Sequence, residues 1–306
     1  MATGTTTWLP LLPLHFRKLG ADDAQVGFAF TLMSASFAAA QFFGGLVADR
    51  FGRKVAIALP TLLFSPLYAL LAVSNSLYEA LALLVVINVI SAIQSPGFVA
   101  FIAESVPDDS TGNAFGVFEF ALGLGYVAGP ALGAWLINYV DYGHLFLGSA
   151  LVSAVCGVVR FYFLKEPPRP QKHGQSTSWR ELLSSSFLPA LFASIFISWL
   201  YNLTIWGPFL ALHAKDLWGW DDATINIATA IGSLVLAFIS LVAGKIIDRY
   251  GHALILGISA LIFSLSTLVL VHSKPSIPFW ALFLTSFASS QLAWIAYNAF
   301  IANQAP

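Results

Sequence analysis

The sequence predicts an all-α polytopic membrane protein built from two parallel copies of one helix bundle. Three observations carry that prediction. The 306 residues are 58% hydrophobic and only 9% charged, with a mean hydropathy of +0.79; a soluble domain carries about 25% charged residues. Apolar runs recur along the chain, most of them long enough to cross a hydrocarbon layer of about 30 Å, with short polar breaks between them. A glycine-punctuated charged stretch, GGLVADRFGRK from Gly44 to Lys54, returns as AGKIIDRYGHA from Ala243 to Ala253.

Taken in order, the apolar runs predict helices over 4–16, 25–46, 55–74, 79–104, 112–139 and 143–164. A charged, proline-rich stretch follows and reads as a cytoplasmic linker over 165–186. Four further helices are predicted over 187–212, 223–246, 253–273 and 278–302. The domains are therefore an N-terminal six-helix bundle (1–164), the linker, and a C-terminal bundle (187–306) with four helices present. The first helix is too short to span, and the chain stops where a loop is expected, so both ends read as cut. Alternating sides puts ten of the 14 Lys and Arg residues on the face that holds Arg50 and Arg249, which marks that face as cytoplasmic.

The repeat extends beyond the charged stretch. Asp248 follows Asp49 by 199 residues, and the same offset maps Gly45 onto Gly244, Arg50 onto Arg249 and Gly52 onto Gly251. It also maps FIAESVP (Phe101–Pro107) onto FIANQAP (Phe300–Pro306). Upstream, an offset of 198 maps Trp8 onto Trp206, Pro10 onto Pro208 and His15 onto His213. A near-constant offset over about 100 positions indicates internal duplication. Six helices lie between equivalent points, so the copies run parallel, related by an axis along the membrane normal. The arithmetic predicts about ten residues before Met1 and two helices, about 57 residues, after Pro306, hence ten helices of an expected twelve.

In these motifs the chain resembles the major facilitator superfamily. GLVADRFGRK is similar to the family's loop between helices two and three, and GYVAGPALGA (Gly125–Ala134) to its helix-five motif, associated in this family with antiporters. The resemblance implies that the loops latch the two halves on the cytoplasmic side when the cavity faces outward. Asp49 is expected to latch onto helix eleven, and Asp248 onto the start of helix five near Thr111 and Asn113.

The residues have their own chemistry. Gly45 permits close helix approach and Gly52 a left-handed turn. Asp49 suits orphan N–H groups at a helix start, while Arg50, Arg53 and Lys54 suit carboxylates and anionic headgroups. Gly244, Asp248, Arg249 and Gly251 repeat the pattern. In the fifth helix Gly125, Gly129 and Gly133 recur every four residues around Pro130, which reads as tight packing. Glu119 lies inside that helix, and an intramembrane carboxylate is a proton-coupling candidate or a structural hydrogen-bond partner.

Helical spacing yields three polar stripes as substrate-cavity candidates: Asn88 and Ser91 with Gln94 at the edge; Trp199, Asn202 and Trp206; and Gln291, Trp294 and Asn298. In the family, helices one, four, seven and ten line the cavity. His15 and His213 read as interfacial. The family's helix-four arginine is absent here, its place falling near Leu84, and the following loop, PDDSTGN, is not basic.

Net charge of −1 gives no case for nucleic acid, one cysteine gives no intrachain disulfide, and no cofactor, metal or catalytic motif appears at usable spacing. The reading is a monomeric, non-enzymatic secondary transporter in the cell membrane. It moves a small neutral or amphipathic molecule by alternating access, as an exporter, with coupling to protons left open. The alternatives are a facilitator or importer of a small nutrient, and a non-transporting sensor on the same fold.

Overall fold

The computed structural model describes residues 1–107, 111–167 and 207–304, and every regular element among them is helical. The chain divides into two compact units, Met1–Gln171 and Lys172–Pro306. The first holds α1 (Ala2–Thr6), a 3₁₀ turn (Leu9–Leu11), α2 (Leu12–Lys18), α3 (Asp23–Phe51), α4 (Arg53–Ala72), α5 (Leu77–Ser105), α6 (Thr111–Leu136) and α7 (Tyr142–Phe163). The second holds α8 (Pro208–Asp216), α9 (Asp222–Tyr250), α10 (His252–Val271) and α11 (Ile277–Gln304). Among the described residues seven helices are long and apolar enough to cross a membrane, and α3, turned by 44° between Asp23–Gln41 and Phe43–Phe51, makes an eighth. Of the predicted linker only residues 165–167 are described, and of the predicted helix 187–212 only 207–212.

Two departures from the sequence reading have plain causes. The expected helix over 4–16 is broken into three short pieces, because Pro10 and Pro13 each stand at the opening of a new piece, where a missing N–H does no harm. Helices α3 and α9 run four to five residues past their predicted ends, through Asp-Arg. Hydropathy falls at those charges, but the helical bonding continues until Gly52 (φ +95°) and Gly251 (φ +86°).

Within each unit, helix starts are of two kinds. Asp22, Ser76, Asp141 and Asp221 each cap the helix that follows by accepting a backbone N–H three residues on. The side chain and backbone N–H of Thr224 hold the Asp221 carboxyl below the usual carboxylate range. Helices α4 and α10 instead begin directly after glycine, with no cap from their own N-cap residue.

Packing pairs α4 with α7, α3 with α5 and α1 with α6 in the first unit, and sets α11 against α9 and α10 in the second. Glycines permit the closest seams. A Cβ on Gly157 would lie 2.8 Å from Leu62 Cγ and 3.0 Å from Leu62 N, pressing α7 into α4. Toward the opposite end, Trp8 Nε1 donates to Ser149 Oγ at 2.9 Å, and its ring packs edge-on to Phe146 and Tyr68. In the second unit Trp218, Trp220, Phe279, Trp280 and Phe283 interlock, with Trp220 and Trp280 stacked at 5.5 Å.

The Gly157 seam is testable. Gly157→Val should destabilise the first unit by about 1–3 kcal/mol through overpacking, whereas Gly148→Ala, with nothing within 4 Å, should be neutral or stabilising. Cys156 is the only cysteine and is half-buried. A thiol-reactive dye followed during heating therefore reads both variants, and equal melting temperatures would refute the seam.

Candidate functional site

The site begins with a helix start that lacks its own cap. Backbone N–H groups at the opening of a helix have no intrahelical partner and carry a partial positive charge. At α4 the partner comes from the segment leaving α7. Glu166 Oε1 accepts from the Arg53 N–H at 2.6 Å, and Oε2 accepts from the Lys54 N–H at 2.8 Å. Glycine is required at position 52 for two reasons. Its φ is positive, and a Cβ there would lie 2.8 Å from Glu166 Oε1.

Arg53 then ties this helix start to the ends of two other helices. Its guanidinium donates to Asp49 Oδ1 at 2.6 Å, and to Glu104 through Nε at 3.1 Å and Nη2 at 2.8 Å. The Arg53 and Glu104 side chains are 15% and 14% exposed, whereas Asp49 is 69% exposed. The pair with Glu104 is thus shielded and joins α4 to the end of α5; the pair with Asp49 faces outward. Arg50 and Lys54 lie over the rings of Phe51 and Phe161 at 5.6 and 5.5 Å. One expectation needs correction. Gly45 has nothing within 4 Å among the described residues; it is Gly44 that sits against α5, where a Cβ would lie 2.9 Å from the carbonyl oxygens of Ala92 and Ile93. Two positions one residue apart face about 100° away from each other on a helix, so the motif glycine and the packing glycine are different residues.

The second copy repeats the backbone and the Asp-Arg pair but not the other charges. Gly251 again has positive φ and separates α9 from α10, Arg249 lies over the Tyr250 ring at 5.3 Å, and a Cβ on Gly244 would meet nothing within 4 Å among the described residues. At the repeat offset, however, Arg53 becomes His252 and Glu104 becomes Asn303. Asp248 lies in the last turn of α9 and is exposed.

The helix-five motif is a seat for α1. A Cβ on Gly125 would lie 2.8 Å from Ala2 Cβ, and one on Gly129 would collide with Thr6 Oγ1 and the Thr3 carbonyl. Thr6 Oγ1 donates to the Gly125 carbonyl at 3.0 Å. Gly133 and Pro130 are buried in the same helix. Glu119, two turns into α6, is exposed and has no charged or hydrogen-bonding partner among the described residues.

The cavity candidates separate. Gln94 leaves its stripe: it is buried, and Nε2 donates to the Ile57 carbonyl at 2.7 Å and to Thr61 Oγ1 at 2.8 Å, joining α5 to α4. Asn88 donates within its own helix to Leu84 O at 2.8 Å, and Ser91 is half-buried. Gln291 Nε2 donates to Ser240 Oγ on α9 at 2.8 Å. Trp294 is exposed beside Tyr297, and Asn298 lies in α11. Trp199, Asn202 and Trp206 lie outside the described residues. His15 is buried against Tyr142 and Phe146 at the start of α7. His213 Nε2 lies 3.1 Å from the Val271 carbonyl.

Sequence reasoning passed over three charged residues. Glu104 and Glu166 hold the loop, and their partners lie 51 and 113 residues away. Arg160 counts in the sequence as one of the ten cations of the cytoplasmic face, yet Nη1 donates to Thr61 Oγ1 at 2.7 Å and the guanidinium lies 4.8 Å over the Phe98 ring. The only signal for them was a charge within or just after an apolar run. Among the described residues no group of His, Cys, Asp or Glu is arranged to hold a metal ion.

Comparison with known proteins bears on this arrangement. The Major Facilitator Superfamily profile matches residues 1–306. The chain is 29% identical over 272 residues to the multidrug resistance protein MdtG of Dickeya zeae (strain Ech586), covering 85% of this chain and 66% of the relative. It is 26% identical over 263 residues to the multi-drug resistance efflux pump PmrA homolog of Lactococcus lactis subsp. lactis (strain IL1403), covering 81% and 64%. The chain thus spans just under two thirds of the length of these curated relatives. Among solved structures it is similar to a bacterial homolog of the human lysosomal transporter Spinster in an inward-facing, occupied conformation. That match has TM-score 0.77 and 18% identity, and covers 97% of this chain and 70% of that one. The nucleoside transporter NupG also matches, with TM-score 0.77, 16% identity, and coverage of 99% and 80%. The relatives are transport proteins rather than enzymes, and with its apolar helices the chain is a multi-pass protein of the cytoplasmic membrane. It belongs to the major facilitator superfamily.

Proposed function

We propose that this chain belongs to a secondary active transporter that exports a small neutral or amphipathic molecule by alternating access. The observation that carries the reading is the pair of glycine hinges at Gly52 and Gly251, the first clamped by Glu166, Arg53 and Glu104. Such a loop can hold helix ends in one arrangement and release them in another, which is what alternating access requires. The printed names of the relatives, multidrug resistance and efflux, support export. Asp49 and Asp248 are the latch residues toward the opposite half. Substrate contact falls to Asn88, Ser91, Gln291, Trp294 and Asn298, with Trp199, Asn202 and Trp206 from the other stripe. Glu119 carries the proton, since it is a carboxylate within a membrane span and without a partner among the described residues.

The reading is tested with inverted membrane vesicles and the fluorescent lipophilic cation ethidium under an imposed proton gradient. The protein should accumulate the dye above the level of empty vesicles, and no difference would remove export of this class. Glu104→Gln leaves the shielded Arg53 guanidinium without its main partner, at a cost of about 3 kcal/mol. Transport should fall at least about tenfold for such a loss, while Asp49→Asn, at the exposed pair, should have a smaller effect. Glu119→Gln should leave dye movement insensitive to the pH gradient; unchanged proton dependence in that variant removes Glu119 from the mechanism.

A further inference from the structure

His15 stands in α2, at the end of the first unit away from Gly52, which the Lys and Arg count marks as the outer face. The residue is 9% exposed. Its imidazole rests on two rings from the opening of α7, with centroids 5.0 Å from Tyr142 and 5.1 Å from Phe146. Nε2 is buried and has no hydrogen-bond partner among the described residues. A phenylalanine would fill this slot without leaving a polar atom unpaired. What the imidazole adds is a proton site that titrates between pH 5 and 8. When it is protonated, both ring nitrogens carry N–H groups. A charged ring with an unanswered donor is costly among apolar neighbours.

Few charges surround the ring. On α2 itself, Arg17 Nη2 donates to Asp23 Oδ1 at 2.7 Å, and the Lys18 ammonium lies 4.2 Å over the same Tyr142 ring that His15 touches. Helix α3 and the 3₁₀ turn pack on α2. The turn, Leu-Pro-Leu, brings no charge; α3 brings Asp23 and, at its cap, Asp22, which accepts from the Gln25 N–H. Helix α7 brings the Tyr142 phenol and, at its cap, Asp141, whose Oδ1 lies 2.7 Å from Nδ1 of the exposed His144. Helix α2 is not among the spanning helices. Burial, and after it Lys18, lower the His15 imidazole to about 4, against an opposing pull from Asp141. The slot is shared: Phe146 also packs edge-on to Trp8 at 5.0 Å, and Trp8 Nε1 donates to Ser149 further along α7.

We infer that His15 is an acid-released lock on the outer end of the first unit. Neutral, its ring holds α2 against the start of α7. Protonated, it leaves the slot for water and the Asp141 carboxylate, and the Phe146 ring that supports Trp8 loses its cover. The seated ring takes a proton at about 4 and a released ring at the ordinary 6.5. The lock therefore holds fully above 6.5, and its hold is lost progressively as pH falls from there toward 4. It operates whatever solute the protein carries and whatever Glu119 does.

Hydrogen–deuterium exchange of the purified protein in lipid nanodiscs tests this, read by mass spectrometry on peptides covering α2 and corrected for the intrinsic pH dependence of exchange. Between pH 7 and pH 5 the protection of α2 should fall about twentyfold, the factor by which proton uptake favours release over that interval. His15→Phe keeps a ring in the slot and should abolish the pH dependence. Lys18→Gln removes a cation that opposes the charged ring, so the fall should be smaller than in the wild type, the opposite of what a loosened fold gives. His144→Gln should leave the fall in place. Protection of α2 that is the same at both pH values in the wild type overturns the inference. So does a fall that persists in His15→Phe, is undiminished in Lys18→Gln, or vanishes in His144→Gln.

Discussion

The Glu166 carboxylate lying across the first N–H groups of α4 is the contact on which the first unit depends. A helix that starts at a membrane surface cannot leave its N–H groups to hydrocarbon, and Gly52 has no side chain with which to help. The cap is therefore imported across 113 residues. That choice closes the first unit on itself, because the segment leaving α7 becomes part of the hinge between α3 and α4. Arg53 extends the same junction to the end of α5 through Glu104 and back to α3 through Asp49. The ends of four helices meet at one charged hub, so a displacement of any of them is felt by the others.

The rest of the unit is held differently. Helices in lipid gain little from hydrophobic burial against one another and rely on close packing and hydrogen bonds. Gly44 against α5, Gly125 and Gly129 against α1, and Gly157 against α4 supply that packing. The end away from the hub is wedged by aromatic side chains, with Trp8 fastened through Ser149 to the Gly4 carbonyl. Dispersion contacts of this kind tolerate small sliding movements better than an ion pair tolerates separation. The hub is thus the part of the unit held by charge, and the packed seams are the part held by close contact.

Much of this was legible in the sequence, and the remainder was hidden for physical reasons. Apolar period located the long helices, and the repeat located both glycine hinges, because left-handed turns leave a residue-level mark. Helix one misled because two prolines interrupt an apolar run without lowering its hydropathy. Gln94 shares a helical face with Ser91 on paper, but its amide turns to α4, and side-chain direction is not written in spacing. Glu166 sits in a proline-rich stretch that reads as linker, and Arg160 near the end of the predicted helix over 143–164, where it counts only toward the cytoplasmic face. Their roles come from partners far away in the chain, which no local pattern contains.

The two copies of the hinge are not equivalent, and the difference has a direction. Both glycines keep the backbone geometry, with φ of +95° and +86°. Among the described residues only the first shows a shielded ion pair beside it; at the repeat offset the arginine is a histidine, His252, and the glutamate is an asparagine, Asn303. Separating a guanidinium from a carboxylate in a shielded site costs several kcal/mol, so any movement that parts the ends of α4 and α5 has that cost to meet beside Gly52.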